Sequence, residues 1–381
     1  MPIEYRQISL AVVVTAAVSY ALSLCLARRT SSRYDSPKYG VPGLIGNTPM
    51  VELVSLSQAT GCRILGKLEL QNPAGSAKDR VALAIIEDAE SKGLIQPHRG
   101  DVIFEGTSGS TGISLAMLCR AKGYTAHIVV PSDTSREKVA LLENLGAVVH
   151  EVKPASIVDQ NQYVNFARSA AQQINDDPKD SRRALFADQF ENESNWQIHY
   201  KTTGPEIYNQ TEGSIDAFVT GAGTGGTISG VSLYLKQRLP NCISVLADPQ
   251  GSGLYNKIKH GVMFDMKEKE GTRRRHQVDT IIEGIGINRV TKNLEAGRQL
   301  IDDAIRVTDE QALRMAKFLI DHDGLFLGSS SAVHCVAAYN IAKSLGPGHT
   351  IVTILCDSGS RHVSKFWNKA HEFGSVELDD I

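Results

Sequence analysis

The sequence predicts an α/β fold built from two doubly wound domains, in which helices cover both faces of parallel sheets. Short runs rich in β-branched residues alternate along the chain with segments of helical apolar periodicity. Glycine-bearing loops repeatedly separate a strand from the helix that follows it. Several predicted strands are apolar throughout, as is typical of parallel strands that are buried on both faces.

Length and composition support this class. The chain has 381 residues, 42% of them hydrophobic, which suffices for two domains or one large α/β unit. Its 42 acidic and 40 basic side chains give no basic surface, so we expect no nucleic-acid partner. Six cysteines are scattered without a Cys-x-x-Cys pair or a His/Cys cluster. We therefore expect no metal site and a reducing compartment.

Residues 1–40 are predicted to be a membrane anchor and linker. Ile8–Ala27 has no charged side chain, and as a helix it would reach about 30 Å, the thickness of a hydrocarbon core. A signal anchor fits better than a cleaved signal peptide or a matrix-targeting peptide. Arg28, Arg29, Arg33 and Lys38 follow, so the positive-inside rule places the remainder in the cytosol. The expected membrane is the mitochondrial outer membrane, with the endoplasmic reticulum as the alternative.

We place the N-terminal α/β domain at residues 41–195. The helix Asp79–Lys92 is recognised by its apolar face, and Pro131 and Gly146 end a strand and a helix respectively. The predicted elements are, in order, strand Arg63–Leu70, helix Asp79–Lys92, strand Asp101–Phe104, helix Ile113–Ala121, strand His127–Val130, helix Ser135–Leu145 and strand Val148–Val152.

The C-terminal α/β domain is placed at residues 196–381. Its predicted strands are the apolar runs Ala217–Thr220, Ile243–Ala247 and Ile351–Leu355. Two highly charged stretches, Asn175–Arg183 and Met266–Gln277, are predicted to be solvated surface loops without a function.

One loop of this half predicts a phosphate site. GAGTGGTISG, residues 221–230, lies between a strand and a helix, where unobstructed backbone N–H groups bind anions. Gly221, Gly223 and Gly226 also satisfy the dinucleotide pattern G-x-G-x-x-G, and Asp248 ends the next strand. An NAD-binding oxidoreductase is therefore an alternative at this point.

Two further segments favour an enzyme of another class over the oxidoreductase. The loop TSGSTG, residues 107–112, offers hydroxyls and amides suited to a carboxylate, and Lys78 lies in the small-residue loop NPAGSAKDR. A lysine that holds an aldehyde as a Schiff base becomes a catalyst. A phosphate cradle, a carboxylate cradle and a loop lysine together meet the needs of an amino-acid enzyme that uses pyridoxal 5′-phosphate. A dehydrogenase needs only the first of them.

From about residue 41 to residue 370 the sequence resembles the cysteine synthase (O-acetylserine sulfhydrylase) and cystathionine β-synthase family, of the tryptophan synthase β-like fold (PLP fold type II). Six motifs carry the resemblance in family order: IGNTPMVEL, KLELQNPAGSAKDR, EGTSGSTG, DQFENESN, GTGGT and CDSGSRHVSKF. Within that family, the sequence resembles fungal, membrane-anchored cysteine synthase-like proteins.

The resemblance implies roles for individual residues. Lys78 would be the catalytic Schiff-base lysine. The other cofactor-binding residues would be Ser110, Gly223, Thr224, Gly225, Gly226, Thr227 and, facing the pyridine nitrogen, Ser358. The substrate-binding residues would be Thr107, Ser108, Thr111, Gly112, Gln189 and, in the segment EGIG, Gly284. A homodimer is also implied.

The resemblance further implies β-replacement on O-acetyl-L-serine, or a similar β-activated serine, with sulfide or a thiol, through an aminoacrylate, to give L-cysteine. One departure from the family lies in the substrate loop, which in the family reads TSGNTG: Ser110 stands where that asparagine bonds the cofactor. The alternatives are therefore β-elimination by a cysteine desulfhydrase or serine dehydratase, a cystathionine β-synthase-type condensation, and a catalytically weak tethered binding protein.

Overall fold

The structure, a computed structural model, describes residues 37–156, 159–264 and 280–381. Residues 44–381 form one unit, and residues 37–43 belong to a separate N-terminal unit. The predicted anchor Ile8–Ala27 and the charged stretch Met266–Gln277 lie outside the described residues. Within the described ranges, no helix has both the length and the apolar character that a bilayer span requires.

Two sheets organise the unit of residues 44–381. Their strands are β1 Met50–Glu52, β2 Arg63–Leu68, β3 Val102–Gly106, β4 Thr125–Pro131, β5 Val148–Val152, β6 Ala184–Phe186, β7 Ala217–Thr220, β8 Ile243–Pro249, β9 Asp303–Val307 and β10 Thr350–Leu355. One sheet has the order β1-β2-β10-β7-β8-β9 and the other β5-β4-β3-β6. All neighbours are parallel except β1 and β2.

Helices connect these strands. They are α1 Val54–Thr60, α2 Lys78–Ser91, α3 Ser110–Lys122, α4 Arg136–Asn144, α5 Tyr163–Asp176, α6 Ser194–Ile198, α7 Gly204–Gln210, α8 Gly226–Arg238, α9 Leu254–His260, α10 Lys292–Glu295, α11 Asp309–Asp323, α12 Ser329–Leu345 and α13 Asn368–Ala370. Short π-helices at His199–Thr203 and Val363–Trp367 follow α6 and precede α13.

Both sheets are covered on both faces, as the sequence predicts. In the four-stranded sheet, Ile103 and Ile128 pack against α2, α3 and α4, while Val102 and Phe104 pack against α5. In the six-stranded sheet, α1, α11 and α12 cover one face, and α7 and α8 contribute to the cluster on the other face. Burial on both sides explains why several strand sequences, such as Ala217–Thr220, are apolar runs.

The first two strands join a sheet whose other members come from the C-terminal half. β2 pairs in parallel with β10, so that Arg63 is the register partner of Thr350. Strands β1 and β2 therefore belong to the six-stranded sheet by their hydrogen bonds. A domain boundary at residue 195 stays a prediction.

The predicted elements are confirmed with small shifts at their ends. The strands Val148–Val152 and Ala217–Thr220 have the predicted bounds. Helix α3 begins at Ser110, three residues before the predicted start at Ile113. The charged stretch Asn175–Arg183 lies largely exposed at the surface, as expected.

Candidate active site

The lysine loop connects β2 to α2, of which Lys78 is the first residue. A backbone bridge between Ser76 and Asp357 fastens the loop to the carboxyl end of β10. The Asp79 carboxylate also holds the loop, because it accepts a backbone N–H from the loop at 2.6 Å and the Ser114 hydroxyl at 2.6 Å. The position of Lys78 relative to β10 and α3 is thus fixed by backbone and side-chain bonds.

The surroundings of the Lys78 amine favour its neutral form. Burial lowers the pKa of this amine below its ordinary value of 10.5, and the neighbouring Cys356 and Asp357 oppose that shift. A neutral amine is a nucleophile that can attack an aldehyde, whereas an ammonium cannot.

A buried ion cluster lies beneath the lysine loop. The Arg80 guanidinium donates two hydrogen bonds to Glu69, both at 2.8 Å, and two to Glu206, at 2.6 and 2.8 Å. Lys67 contacts Glu206 at 2.7 Å. Glu69 and Lys67 are fully buried, and Arg80 is 2% exposed. The contacts between Arg80 and Glu206 join the loop to α7, where Glu206 lies 126 positions after Arg80 in the chain.

The predicted substrate loop runs from β3 into α3. Thr107, Thr111 and Gly112 are buried, Ser110 is half-buried and Ser108 is exposed. Ser110 begins a helix of 13 residues, so the free N–H groups and the positive end of the helix dipole lie in this loop. An anionic group such as a carboxylate is the ligand that such a helix start favours.

Gln189 connects this loop to the predicted phosphate loop. Its side-chain oxygen accepts the Thr111 hydroxyl at 2.5 Å. Its backbone oxygen accepts the Asn195 amide at 2.7 Å, and the same amide nitrogen lies 2.9 Å from the Thr224 hydroxyl. Asn195 was not among the predicted residues, although it lies in the motif DQFENESN that carried Gln189.

The phosphate loop, between β7 and α8, accepts only glycine at three positions. A Cβ atom on Gly223 would overlap the carbonyl oxygen of Gly284, and one on Gly226 would overlap the side-chain oxygen of Asn195. Gly225 has a φ of +85°, which side chains rarely adopt. The backbone amides at the start of α8 therefore lie in a turn that no larger residue could form.

The side chains that hydrogen-bond to this glycine turn are uncharged. The Thr227 hydroxyl lies 3.3 Å from the Nε2 atom of His199. Burial lowers the pKa of His199 to about 3, so its ring is neutral at physiological pH. The Thr224 carbonyl accepts the Thr291 hydroxyl at 2.7 Å, which fixes the loop backbone. An anion here would be held by amides and hydroxyls.

The remaining predicted residues are Ser358 and Gly284. Ser358 follows β10, is half-buried, and accepts the N–H of Ser360 at 3.3 Å. Gly284 has a φ of +85°, and a Cβ atom there would meet nothing within 4 Å. The N–H of Gly286 donates to Ala222 at 2.9 Å, so the segment EGIG lies against the phosphate loop.

Arg361 links three of these segments and was not predicted. Its guanidinium donates to the Ser110 hydroxyl at 3.4 Å and to the carbonyl of Ala74 in the lysine loop. Arg361 lies in the motif CDSGSRHVSKF, but nothing in that motif alone indicates which loops its side chain reaches. The end of β10, the substrate loop and the lysine loop are thereby in contact.

Asp248 does not support the dinucleotide alternative. A carboxylate that binds a ribose hydroxyl has to face the ligand. Asp248 is fully buried, and its Oδ2 atom accepts the backbone N–H of Tyr255 at 2.7 Å, at the start of α9. The glycine pattern of residues 221–226 therefore lacks its acidic partner.

The residues present fit pyridoxal 5′-phosphate. The glycine turn at residues 223–227 suits a phosphate, because adding a Cβ atom at Gly223 or Gly226 would close it. The Lys78 amine, with its lowered pKa, suits an aldehyde. Among the described residues, no cluster of three or more His, Cys, Asp or Glu side chains has the arrangement of a metal site.

The same conclusion follows from known proteins. Residues 41–357 match the family described as pyridoxal-phosphate dependent enzyme. "Cysteine synthase 2" of Emericella nidulans is 62% identical over 90% of this chain and 83% of its own length. "Putative mitochondrial cysteine synthase" of Saccharomyces cerevisiae is 61% identical over 91% of this chain and 88% of its own. The crystal structure of O-ureido-L-serine synthase superposes with a TM-score of 0.76, at 30% identity, over 89% of this chain and 98% of that one.

Proposed function

This chain belongs to the family of pyridoxal-phosphate dependent enzymes, and from that membership we propose how its residues carry out a cysteine synthase reaction. Pyridoxal 5′-phosphate is its cofactor. The enzyme replaces the acetoxy group of O-acetyl-L-serine by sulfide, so that the Cβ–O bond breaks, a Cβ–S bond forms, and L-cysteine and acetate are released; this activity fits relatives of 55% and 62% identity named cysteine synthase.

The proposed cofactor residues are those at the meeting point of the loops. Lys78 would hold the aldehyde carbon, and the amides of residues 223–227 with the hydroxyls of Thr224 and Thr227 would hold the phosphate. Ser358 would face the ring nitrogen, and Ser110 would lie on the side of the ring oxygen. When bound, the cofactor delocalises the negative charge left on the α-carbon of the substrate.

Lys78 is the proposed general base. Its amine takes the α-proton of the substrate, and its lowered pKa makes the uncharged form more abundant at neutral pH than in free lysine. Ser358 has a hydroxyl, which cannot keep a ring nitrogen protonated as a carboxylate would. A hydroxyl at this position would therefore favour loss of the β-substituent over transamination.

The proposed substrate residues surround the start of α3. Thr107, Ser108, Thr111 and Gly112 would bind the α-carboxylate there, and the helix dipole adds to their hydrogen bonds. Gln189, bonded to Thr111 at 2.5 Å, would donate its amide to the same carboxylate. Gly284, whose missing side chain leaves open space, would let the substrate approach the backbone.

One observation carries this proposal: the bridge between Ser76 and Asp357, which fastens the Lys78 loop beside Ser358. The purified protein should absorb near the visible edge and should convert O-acetylserine and sulfide to cysteine. Lys78→Ala should abolish both the band and the activity, whereas Lys92→Ala, at the exposed end of the same helix, should change neither. A wild-type protein that binds no pyridoxal phosphate would refute the proposal.

Ser110 favours one second candidate, β-elimination. It replaces the asparagine that the resemblance implies, and a hydroxyl has one donor where an amide has two. The products decide between the two reactions. Pyruvate formed from cysteine or serine alone, without cysteine from O-acetylserine and sulfide, would identify a desulfhydrase or a dehydratase.

We propose that residues 8–27 tether the enzyme to the mitochondrial outer membrane, with the catalytic part in the cytosol. The uncharged run and the basic residues after it support a tether, and the name of the Saccharomyces cerevisiae relative supports the mitochondrion. After carbonate extraction of mitochondria the chain should stay in the pellet, and protease should digest it on intact organelles. Release into the carbonate supernatant would contradict the tether.

A homodimer is also proposed, on the basis of the family resemblance. Light scattering on the chromatographed full chain, corrected for bound detergent, should give twice the chain mass of 41.3 kDa. A mass equal to one chain would contradict it.

A further inference from the structure

Glu105 is an acidic side chain in the interior of the four-stranded sheet. It lies on β3, two residues before Thr107 of the substrate loop, and is fully buried. Among the described residues, no cationic side chain forms an ion pair with it, and the neighbouring charge with the largest effect on its pKa is Asp188, which is itself acidic. A buried carboxyl without a cation normally stays protonated or has a specific role.

Both oxygens of Glu105 face Gln189. The Gln189 side-chain nitrogen lies 3.3 Å from Oε1, and the Gln189 backbone nitrogen lies 3.4 Å from Oε2. On its other side the Gln189 carboxamide oxygen accepts the Thr111 hydroxyl at 2.5 Å. The carboxamide therefore presents its nitrogen to Glu105 and its oxygen to the substrate loop.

This orientation is the wrong one for binding a carboxylate. A carboxylate only accepts hydrogen bonds, so Gln189 would have to present its nitrogen to the substrate loop. A half-turn of the carboxamide would do this, and the Thr111 hydroxyl can accept as well as donate. The carboxamide oxygen would then face Glu105, and only a protonated carboxyl can donate to it.

We propose that Glu105 is a positioning residue whose protonation selects the orientation of the Gln189 carboxamide, so that binding of the substrate α-carboxylate is coupled to proton uptake at Glu105. The inference rests on the proposed function, in which Gln189 meets that carboxylate. The ionised Glu105 takes one proton from solvent, the carboxamide turns, and its N–H₂ group donates toward the substrate. No bond between heavy atoms forms or breaks.

The charges around Glu105 allow this exchange near neutral pH. Burial and the nearby Asp188 raise the pKa of Glu105 to about 8, against the hydrogen bonds from the loop backbone and side chain. From α5, Tyr163 faces the same region. Arg168 and Arg289 act on Asp188 and partly offset its charge, and Arg168 lies 3.7 Å from its Oδ2 atom.

The test measures binding without turnover. L-Alanine has an α-carboxylate but no β-leaving group, and its binding to the holoenzyme can be followed by cofactor absorbance. For the wild type, uptake of one proton makes the affinity fall by about tenfold per pH unit above about pH 8. Glu105→Gln is permanently neutral and can donate to the turned carboxamide. Its affinity for L-alanine at neutral pH should stay within about threefold of wild type, and this step, the additional fall in affinity above about pH 8, should be absent.

The difference between the affinity–pH profiles of wild type and Glu105→Gln reports the titration of Glu105 alone, because the amine of alanine and Lys78 titrate in both proteins. Glu105→Leu removes both donor and acceptor and should weaken binding by about tenfold or more across the pH range. A step that persists in Glu105→Gln, or a wild type without one, would overturn the inference. Failure of the wild type to make cysteine from O-acetylserine would instead count against the proposed function.

Thermal unfolding gives a second readout that needs no substrate. Because the folded-state pKa of Glu105 is raised from 4.5 to about 8, its contribution to wild-type stability falls as pH rises between those values, and Glu105→Gln lacks this contribution. The melting temperature of Glu105→Gln relative to wild type should therefore increase from about pH 5 to about pH 8. A constant difference would overturn the raised pKa on which the proton coupling depends, even if Glu105→Leu does not fold.

Discussion

Replacing Glu69 by Gln removes one negative charge from the buried ion cluster and leaves Arg80 in place. The contacts with Arg80 lower the pKa of Glu69 from 4.5 to about 2 although its burial opposes this. At about 1.4 kcal/mol per pH unit, that difference corresponds to about 3 kcal/mol of stability at neutral pH. Breaking a buried pair from one side costs about 3–5 kcal/mol in other proteins, so we expect a loss of about 3–4 kcal/mol.

Urea unfolding of the holoenzyme, followed by circular dichroism, measures this loss. Asp88→Asn is the matched control, because Asp88 pairs at 2.6 Å with Lys92 at the surface, where such a pair contributes less than about 1 kcal/mol. The depressed pKa makes the contribution of Glu69 fully present above about pH 4.5, and it is lost as pH falls through about 2. The difference in the free energy of unfolding between wild type and Glu69→Gln should therefore become smaller as the pH falls toward about 2.

A loss below about 1 kcal/mol for Glu69→Gln, or one no larger than that of Asp88→Asn, would refute the reasoning. It would mean that desolvation of the cluster cancels its internal attraction. A gap that stays constant down to about pH 2 would show that Glu69 is not stabilised in its ionised form.

Two further predictions concern the phosphate loop and a helix end. In an absorbance titration, Gly226→Ala should weaken binding of pyridoxal phosphate to the apoprotein by at least about tenfold, because the added methyl group would overlap Asn195. Gly374→Ala is the control: a methyl group there meets open space, so the affinity should not change. Thr308→Ala removes the capping box at the start of α11 and should lower the free energy of unfolding by about 1 kcal/mol in urea, with m unchanged; no measurable loss would mean that solvent replaces the cap.

The strands and glycine loops could be predicted because their signals are local. Val148–Val152 has three β-branched residues and follows Gly146, and Ala217–Thr220 is an apolar run before a glycine loop, so neighbouring residues set both bounds. The start of α3 was placed too late because Ser110 and the residues after it also suit a loop. Propensity does not decide between a capped helix start and a turn.

The residues that hold the site residues in position could not be predicted, because they act through contacts between segments that are distant in the sequence. Nothing near Glu69 in the sequence indicates that Arg80 will also reach Glu206 on α7. Nor does β3 indicate that Glu105 will face Gln189, which follows another strand of its sheet. Motif chemistry identifies residues that meet a ligand, whereas the residues that orient them are known only once the chain is folded.

The pairing of β2 with β10 has a consequence for biosynthesis. At about 5–20 residues per second, a ribosome takes about 15–60 s to make the stretch between them, and during this time β2 has β1 as its only completed neighbour in the sheet. A largely buried strand with one unpaired side is a template for aggregation, so we expect the nascent chain to need chaperones until β10 emerges. Truncated products that end before residue 350 should be insoluble whatever cofactor is supplied.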